Sequence, residues 1–544
     1  MYDYIVVGAG SAGCVMAARL TEDPNIHVAL IEAGAPDTAD EIHIPAAFGS
    51  LFKSEWDWDL DTEPEPELGR RRAYLPRGKM LGGCSSMNAM IYIRGNRADY
   101  DQWAADGASG WGYDDVLPYF RKAEDNERGE SDFHGGSGPL RVSESRSMSP
   151  LCEAWVDGAV EAGYAHNEDF NAGEQLGVGR FQVTQRDGMR CSTAGAYLHP
   201  VMDRPNLTVI TEAHTTRVLF EGKRAVGVEV KRGGELEEIR AEREVVLSAG
   251  TYGSAHLLLL SGVGPSAQLE AFGIEQRADL PVGERMQDHY MVMLNYTTEL
   301  ESLMTAASAE NVELLQSEGR GPLTSNIGEA GGFFETRDGL DGPDVQFHST
   351  PCFFAEEGLG AQTEQGLAAG PCVLKPTSTG TLTLRSPNPL DAPRILHNYL
   401  GSDEDRQSIL AGLRIALGIA SQPAMKKVIK GEHIVPHGTS DDELLDFARQ
   451  VGQTLYHPTS TCSIGHVVDP DLKVIGLEGL RVADASVMPT VVRGNTNAPT
   501  IMIGEKAADL LRSAQGHSES VQGRSESAQA AGDRSSETKQ EAAV

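Results

Sequence analysis

Gly8-Ala9-Gly10-Ser11-Ala12-Gly13 is a GxGxxG run. It follows an apolar strand pattern, Tyr4-Ile5-Val6-Val7, and precedes a helical pattern from Cys14 to Leu20. A second apolar run, His27 to Ile31, ends at Glu32. In that setting the chemistry is capture of a dinucleotide. Gly8 permits the tight turn, Gly10 lets the backbone approach a pyrophosphate, and Gly13 allows close helix packing. The helix N-terminus attracts phosphate charge. Glu32 is placed to accept hydrogen bonds from ribose hydroxyls. The turn alone does not separate FAD from NAD. The seven cysteines are dispersed and form no CxxC pair, which argues against a disulfide framework and a structural zinc site. No metal-ligand spacing appears, and no Cys–His or Ser–His nucleophilic pair is oriented by sequence.

These residues need elements to position them. A chain of 544 residues exceeds one ordinary core and implies two or more domains. The pattern from 207 to 249 reads as strand after strand with polar turns, a meander. Strand-like runs recur from 332 to 398, including Asp344 to His348, and helices are expected at 403–421, 440–451 and Thr500 to Arg512. Residues 300–320 read as a polar, alanine-rich insertion with the character of a lid. The composition of 514–544 reads as a disordered tail. A formal charge of −33 disfavours nucleic acid and anionic membrane surfaces as partners. It leaves steering of cationic substrates open. No run has the length of a transmembrane helix and Met1 leads straight into a strand, so a cytoplasmic location is expected.

Four further stretches carry a family resemblance. Arg77 through Asn88, RGKMLGGCSSMN, is the first. Gly250-Thr251-Tyr252-Gly253-Ser254 through Ser261-Gly262-Val263-Gly264 is the second, and Tyr456-His457-Pro458-Thr459-Ser460-Thr461-Cys462 the third. Val482-Ala483-Asp484-Ala485-Ser486, followed by Asn495-Thr496-Asn497-Ala498-Pro499-Thr500, is the fourth. Together, in this order, they resemble the signatures of the glucose–methanol–choline (GMC) family of FAD oxidoreductases, most of all its choline-dehydrogenase-like branch. Cys84 and Ala255 depart slightly from the family pattern.

The resemblance implies oxidation of a primary alcohol to the aldehyde, with hydride passing to flavin N5, His457 as base and Asn497 as its partner. Dioxygen, a quinone or another acceptor would then take the electrons. The family also contains hydroxynitrile lyases, which keep FAD without net redox, and that alternative stays open. The implied FAD contacts are Gly8, Gly10, Ser11, Ala12, Gly13, Glu32 and Ala33 at the turn. Leu81, Gly83, Asn88, Ala89 and Met90 follow at the flavin, then Val218 at adenine through its backbone, with Asp484, Ala485, Asn497 and Thr500 completing the set. Met87 stands where some members carry a flavin-linking histidine, so noncovalent FAD is expected. Trp58 and Tyr456 match aromatic positions of family active sites, and Phe333, Phe334, Phe353 and Phe354 are candidates for the substrate wall. His289, in a QDH triplet, reads as structural, and His348 receives no role. The implied fold is α/β (α+β overall). It has a Rossmann-like FAD domain from 1–155, 190–295 and 450–513, and an antiparallel-sheet-plus-helices substrate domain from 156–189 and 296–449.

Overall fold

The computed structural model describes residues 1–514, so the tail expected over 514–544 lies almost wholly outside the described residues. The apolar strand Tyr2–Val7 is central in a seven-stranded sheet, between Val28–Ile31 and the end of Glu235–Leu247, all parallel. Leu207–Ile210 extends the sheet beyond Val28–Ile31, and Leu480–Val482 pairs parallel to Val245–Leu247. Ile5, Val6, Val28, Leu30, Val245 and Val246 are fully buried, as expected of parallel strands covered on both faces. The expected meander is three-stranded: Ala213–Glu221, Arg224–Arg232 and Glu235–Leu247 pair antiparallel. Its first turn has Gly222 at φ +60°, and its second, Gly233-Gly234, has φ of +55° and +93°. Two positive φ values at a two-residue turn match the twist of a hairpin. Leu207–Ile210 leaves this meander and joins the parallel layer instead.

The second sheet has eight antiparallel strands, with Gly366–Val373 between Leu294–Thr297 and Val345–Thr350. Tyr290–Met291, Leu294–Thr297 and Gln453–Thr454 belong here, although the sequence reading grouped 290–295 and 453–454 with the cofactor part. Helices Pro150–Glu161 and Asp403–Ala420 cover one face. Side chains alternate across it. Tyr290, Val292, Leu294 and Phe347 pack with Trp155, Ile409 and Leu413 on the helical side, while Met291 and Met293 turn to the other side. The insertion at 300–320 contains the helix Ala309–Glu318, capped by Ser308 and closed by Gly319 at φ +61°. Leu315 anchors it in a small cluster with Leu323. No helix among the described residues is long and apolar enough to cross a membrane.

Candidate active site

A cavity of about 440 Å³ runs between the two sheets, from the glycine turn and Glu32 to His457. Gly8 adopts φ +99°, and its N–H donates to Ile31 O at 2.7 Å. A Cβ on Gly13 would lie 1.9 Å from Gly8 O, so only glycine allows helix Gly13–Leu20 to begin there. A Cβ on Gly10 would meet no protein atom within 4 Å, because this residue faces the cavity. Glu32 accepts from the N–H groups of Ala9 at 2.9 Å and Gly34 at 2.8 Å. Its remaining lone pairs stay available to the cavity. A second helix, over 497–514, also starts at this cavity, with Asn497 and Thr500 in the lining. Two helix N-termini and a glycine cradle suit a pyrophosphate.

Most of the expected cofactor residues line the cavity: Gly8, Gly10, Ser11, Ala12, Glu32, Ala33, Gly83, Asn88, Ala89, Met90, Asp484, Ala485, Asn497 and Thr500. Leu81 is buried off it. Val218 is also off it: its N–H is taken by Ser261 Oγ at 2.9 Å. Ala213, His214 and Thr215 reach the cavity in its place, because the strand enters near Glu32 and has turned into the meander by Val218. Asp484 accepts from Gly250 N–H, Ser254 Oγ and Ser486 N–H, and so secures the start of helix Gly250–Leu260. Trp58 lines the nucleotide end, not a substrate wall. Its ring meets His214 at 5.7 Å, with the Lys79 ammonium 5.1 Å from the ring centroid. Phe333 and Phe334 are core residues pointing to opposite faces of their strand, one against Phe170 and the other against Phe347. Tyr456 and Phe354 do line the cavity.

At the far end, His457 follows Tyr456, which is held at φ +66° by Thr454 Oγ1 and by its own hydroxyl bond to Glu357 O. A non-glycine residue kept in the left-handed region is strained, and the surrounding contacts must hold it. One buried carboxylate, Asp288, accepts from the backbone N–H groups of both His457 and His289, at 2.8 and 2.9 Å. The same carboxylate thus holds His289, expected to be structural, beside His457. His289 Nδ1 lies 2.9 Å from His457 Nδ1, and its Nε2 lies 3.1 Å from Leu374 O.

A carbonyl only accepts, so His289 carries its proton on Nε2. Burial pushes the His289 pKa down to about 4, which keeps the ring neutral and makes Nδ1 an acceptor. His457 must then donate from Nδ1, which leaves a lone pair on Nε2. Burial, then His289, His348 and Arg77, hold the His457 conjugate acid well below the usual imidazole range.

The amide nearest that lone pair belongs to Asn495, whose Nδ2 lies 3.3 Å from His457 Nε2. Gln346 Nε2 donates to Asn495 Oδ1 at 3.2 Å, which orients the amide. Asn497, expected to be the partner, instead accepts from Ser11 Oγ at 2.8 Å. The non-helical lead into the terminal helix sends these two residues to different neighbours.

Strand Val345–Thr350 adds a further polar face to the cavity. By its period of two, Gln346, His348 and Thr350 share one face. Both ring nitrogens of His348 are buried without a protein partner, and the residue lines the cavity with Thr350. The alternation of polar residues in VQFHST was the available signal. Cys462 is inert, since burial pushes its thiol up to about 12. Among the described residues, no group of three His, Cys, Asp or Glu side chains is arranged to hold a metal ion.

Family models described as GMC oxidoreductase match residues 2–291 and 376–504. This chain belongs to the GMC oxidoreductase family. An alcohol dehydrogenase [acceptor] of Pseudomonas putida is 44% identical to it over 94% of this chain and 96% of that protein. The mitochondrial choline dehydrogenase of Mus musculus is 42% identical over 94% and 89%. The crystal structure of pyridoxine 4-oxidase from Mesorbium loti superposes with a TM-score of 0.86 at 30% identity, over 94% of this chain and 99% of that one. This GMC enzyme is accordingly an FAD-dependent oxidoreductase acting on CH–OH donors.

Proposed function

We propose that this enzyme oxidises a primary alcohol, with His457 as the base, Asn495 holding the substrate oxygen and His289 fixing the tautomer of the base. The observation that carries this is the ordered chain Leu374 O, His289, His457. It leaves one imidazole lone pair at the end of a dinucleotide-shaped cavity, beside an amide N–H. FAD bound in the cavity supplies the hydride acceptor. His457 Nε2 takes the hydroxyl proton as the carbon–hydrogen bond weakens, and the Asn495 amide bears the negative charge developing on oxygen. His348 offers a second polar contact to the same end of the substrate. Excluding water from this buried site strengthens each of these interactions.

The cofactor is held without a covalent bond in this proposal. Met87 lines the cavity at the expected linkage position and lacks the ring nitrogen through which a histidine bonds to flavin. Electrons leave to dioxygen or a quinone, which the speed of recolouring in air tells apart. The seven cysteines, all free, suit a reducing compartment such as the cytoplasm. The hydroxynitrile-lyase alternative finds no support in the relatives.

The test is anaerobic bleaching of the bound flavin by alcohols, because a lyase leaves the colour unchanged. Two variants separate the asparagines. Asn495→Ala should lower kcat by about 10²–10³-fold, as for loss of one donor to a developing oxyanion. Asn497→Ala should act mainly on flavin retention, read as the ratio of flavin to protein absorbance. Equal losses of kcat with full flavin in both would contradict the assignment. His289→Ala should lower kcat about tenfold or more by freeing the wrong tautomer. His289→Gln should recover part of that, since a carboxamide oxygen accepts the same N–H.

A further inference from the structure

We infer that the substrate is an uncharged alcohol with an apolar chain, and that the pocket rejects a cationic alcohol of the same shape. This deepens the proposal above and rests on it. The wall around His457 comes from two apolar clusters. Met291 and Met293 point inward by strand alternation and pack with Phe354 and Leu455. Phe52 comes from the other, and its ring lies 6.0 Å from that of Tyr456. All five line the cavity. Methionine side chains are unbranched and polarizable, so such a wall adapts to chains of different length.

The charges decide against a cation. Among the described residues, the carboxylates lining the cavity are Glu32, Asp391 and Asp484. Glu32 serves the glycine turn and Asp484 the start of a helix. Asp391 accepts from Ser386 and Asn388 in the loop whose Pro389 carbonyl meets His214, at the nucleotide end. Asp288 lies behind the histidine pair, not in the lining, and already accepts from two backbone N–H groups and the hydroxyls of Tyr399 and Thr454. The charged group lining the His457 end is a cation, Arg77, which donates to Tyr456 O at 2.9 Å. His289, His348 and His457 are held neutral by burial. A quaternary ammonium would lose its water here and find ring faces but no carboxylate. Ring faces attract such a cation, but with no carboxylate at this end and the Arg77 guanidinium lining it, the balance goes against the charge. The acidic surface acts at long range and supplies no partner inside.

The experiment compares choline with 3,3-dimethylbutan-1-ol, its uncharged isostere, on the flavin-loaded wild-type enzyme. The expected kcat/KM favours the neutral alcohol by on the order of 100-fold. Across 1-alkanols it should rise about fourfold per methylene until the pocket is full. Calorimetry adds a readout without turnover. 2-Methylhexan-2-ol, which has no carbinol hydrogen to lose, should bind more tightly than tetramethylammonium. Met291→Glu, read as the ratio of the two kcat/KM values in one preparation, should shift it toward choline by about tenfold or more. Choline matching or exceeding its isostere, or tetramethylammonium binding the more tightly, overturns the inference. If no alcohol reduces the flavin, the proposed alcohol oxidation fails, and the calorimetric comparison still decides the character of the pocket.

Discussion

Replacing His457 with alanine is expected to slow anaerobic flavin reduction by about 10²–10⁴-fold, the usual contribution of a positioned general base. The flavin content should stay near that of the wild type, because His457 sits at the end of the cavity opposite Glu32 and the glycine turn. Stopped-flow loss of flavin absorbance reads the rate, and the resting spectrum reads the occupancy. The wild-type pH profile tests the same residue. The active form of the base is neutral, and burial lowers the pKa of its conjugate acid. As pH falls through about 6.5, where a free imidazole protonates, kcat/KM should therefore hold, and it should decline only at lower pH. A decline centred at or above the free imidazole value, absent from His457→Ala, would contradict a buried neutral base. A rate loss below tenfold would remove His457 from the proton role.

The second large effect separates two glycines of one turn. Gly13→Ala places a methyl group 1.9 Å from a backbone oxygen, which cannot move aside as a side chain can. Overpacking of that kind costs about 1–3 kcal/mol, or about 5- to 150-fold in an equilibrium constant. The strain should reach both the fold and the cradle, so the variant should melt earlier as apoprotein and also retain less flavin. Gly10→Ala meets no protein atom within 4 Å, so the apoprotein should keep its melting temperature. Its methyl group intrudes where the backbone must approach the pyrophosphate, so flavin affinity should still fall. Flavin titration of each apoprotein, beside thermal unfolding without flavin, checks both. Equal melting losses in the two variants would mean that the Gly10 side of the turn is not open to a ligand.

The family and its cofactor were legible in the sequence because each is carried by consecutive residues. A glycine turn is specified by local φ and by the absence of a Cβ. Its strand and helix are specified by apolar runs of four to eight residues, and His457 is embedded in its own motif. The substrate wall was legible only in part: Tyr456 and Phe354 line the cavity, but other candidates do not. Phe333 and Phe334 look alike in sequence, but neighbours on a strand face opposite ways, and both faces of theirs are core. Val218, expected at adenine, lies off the cavity for a related reason: the strand turns away before reaching it.

The motifs along the chain determined the family and, with it, the FAD that the enzyme uses. Only the tertiary structure decided that Asn495, not Asn497, faces His457. It also brought His289, 168 residues away along the chain, to within 2.9 Å of that histidine, and it set methionine and phenylalanine side chains, with no carboxylate, at that end of the cavity. The physical reason is the direction of side chains. Spacing along the sequence sets which residues share an element, but the orientation of that element and the elements packed opposite it set what each side chain meets, and hydrogen bonds and charges depend on that meeting alone.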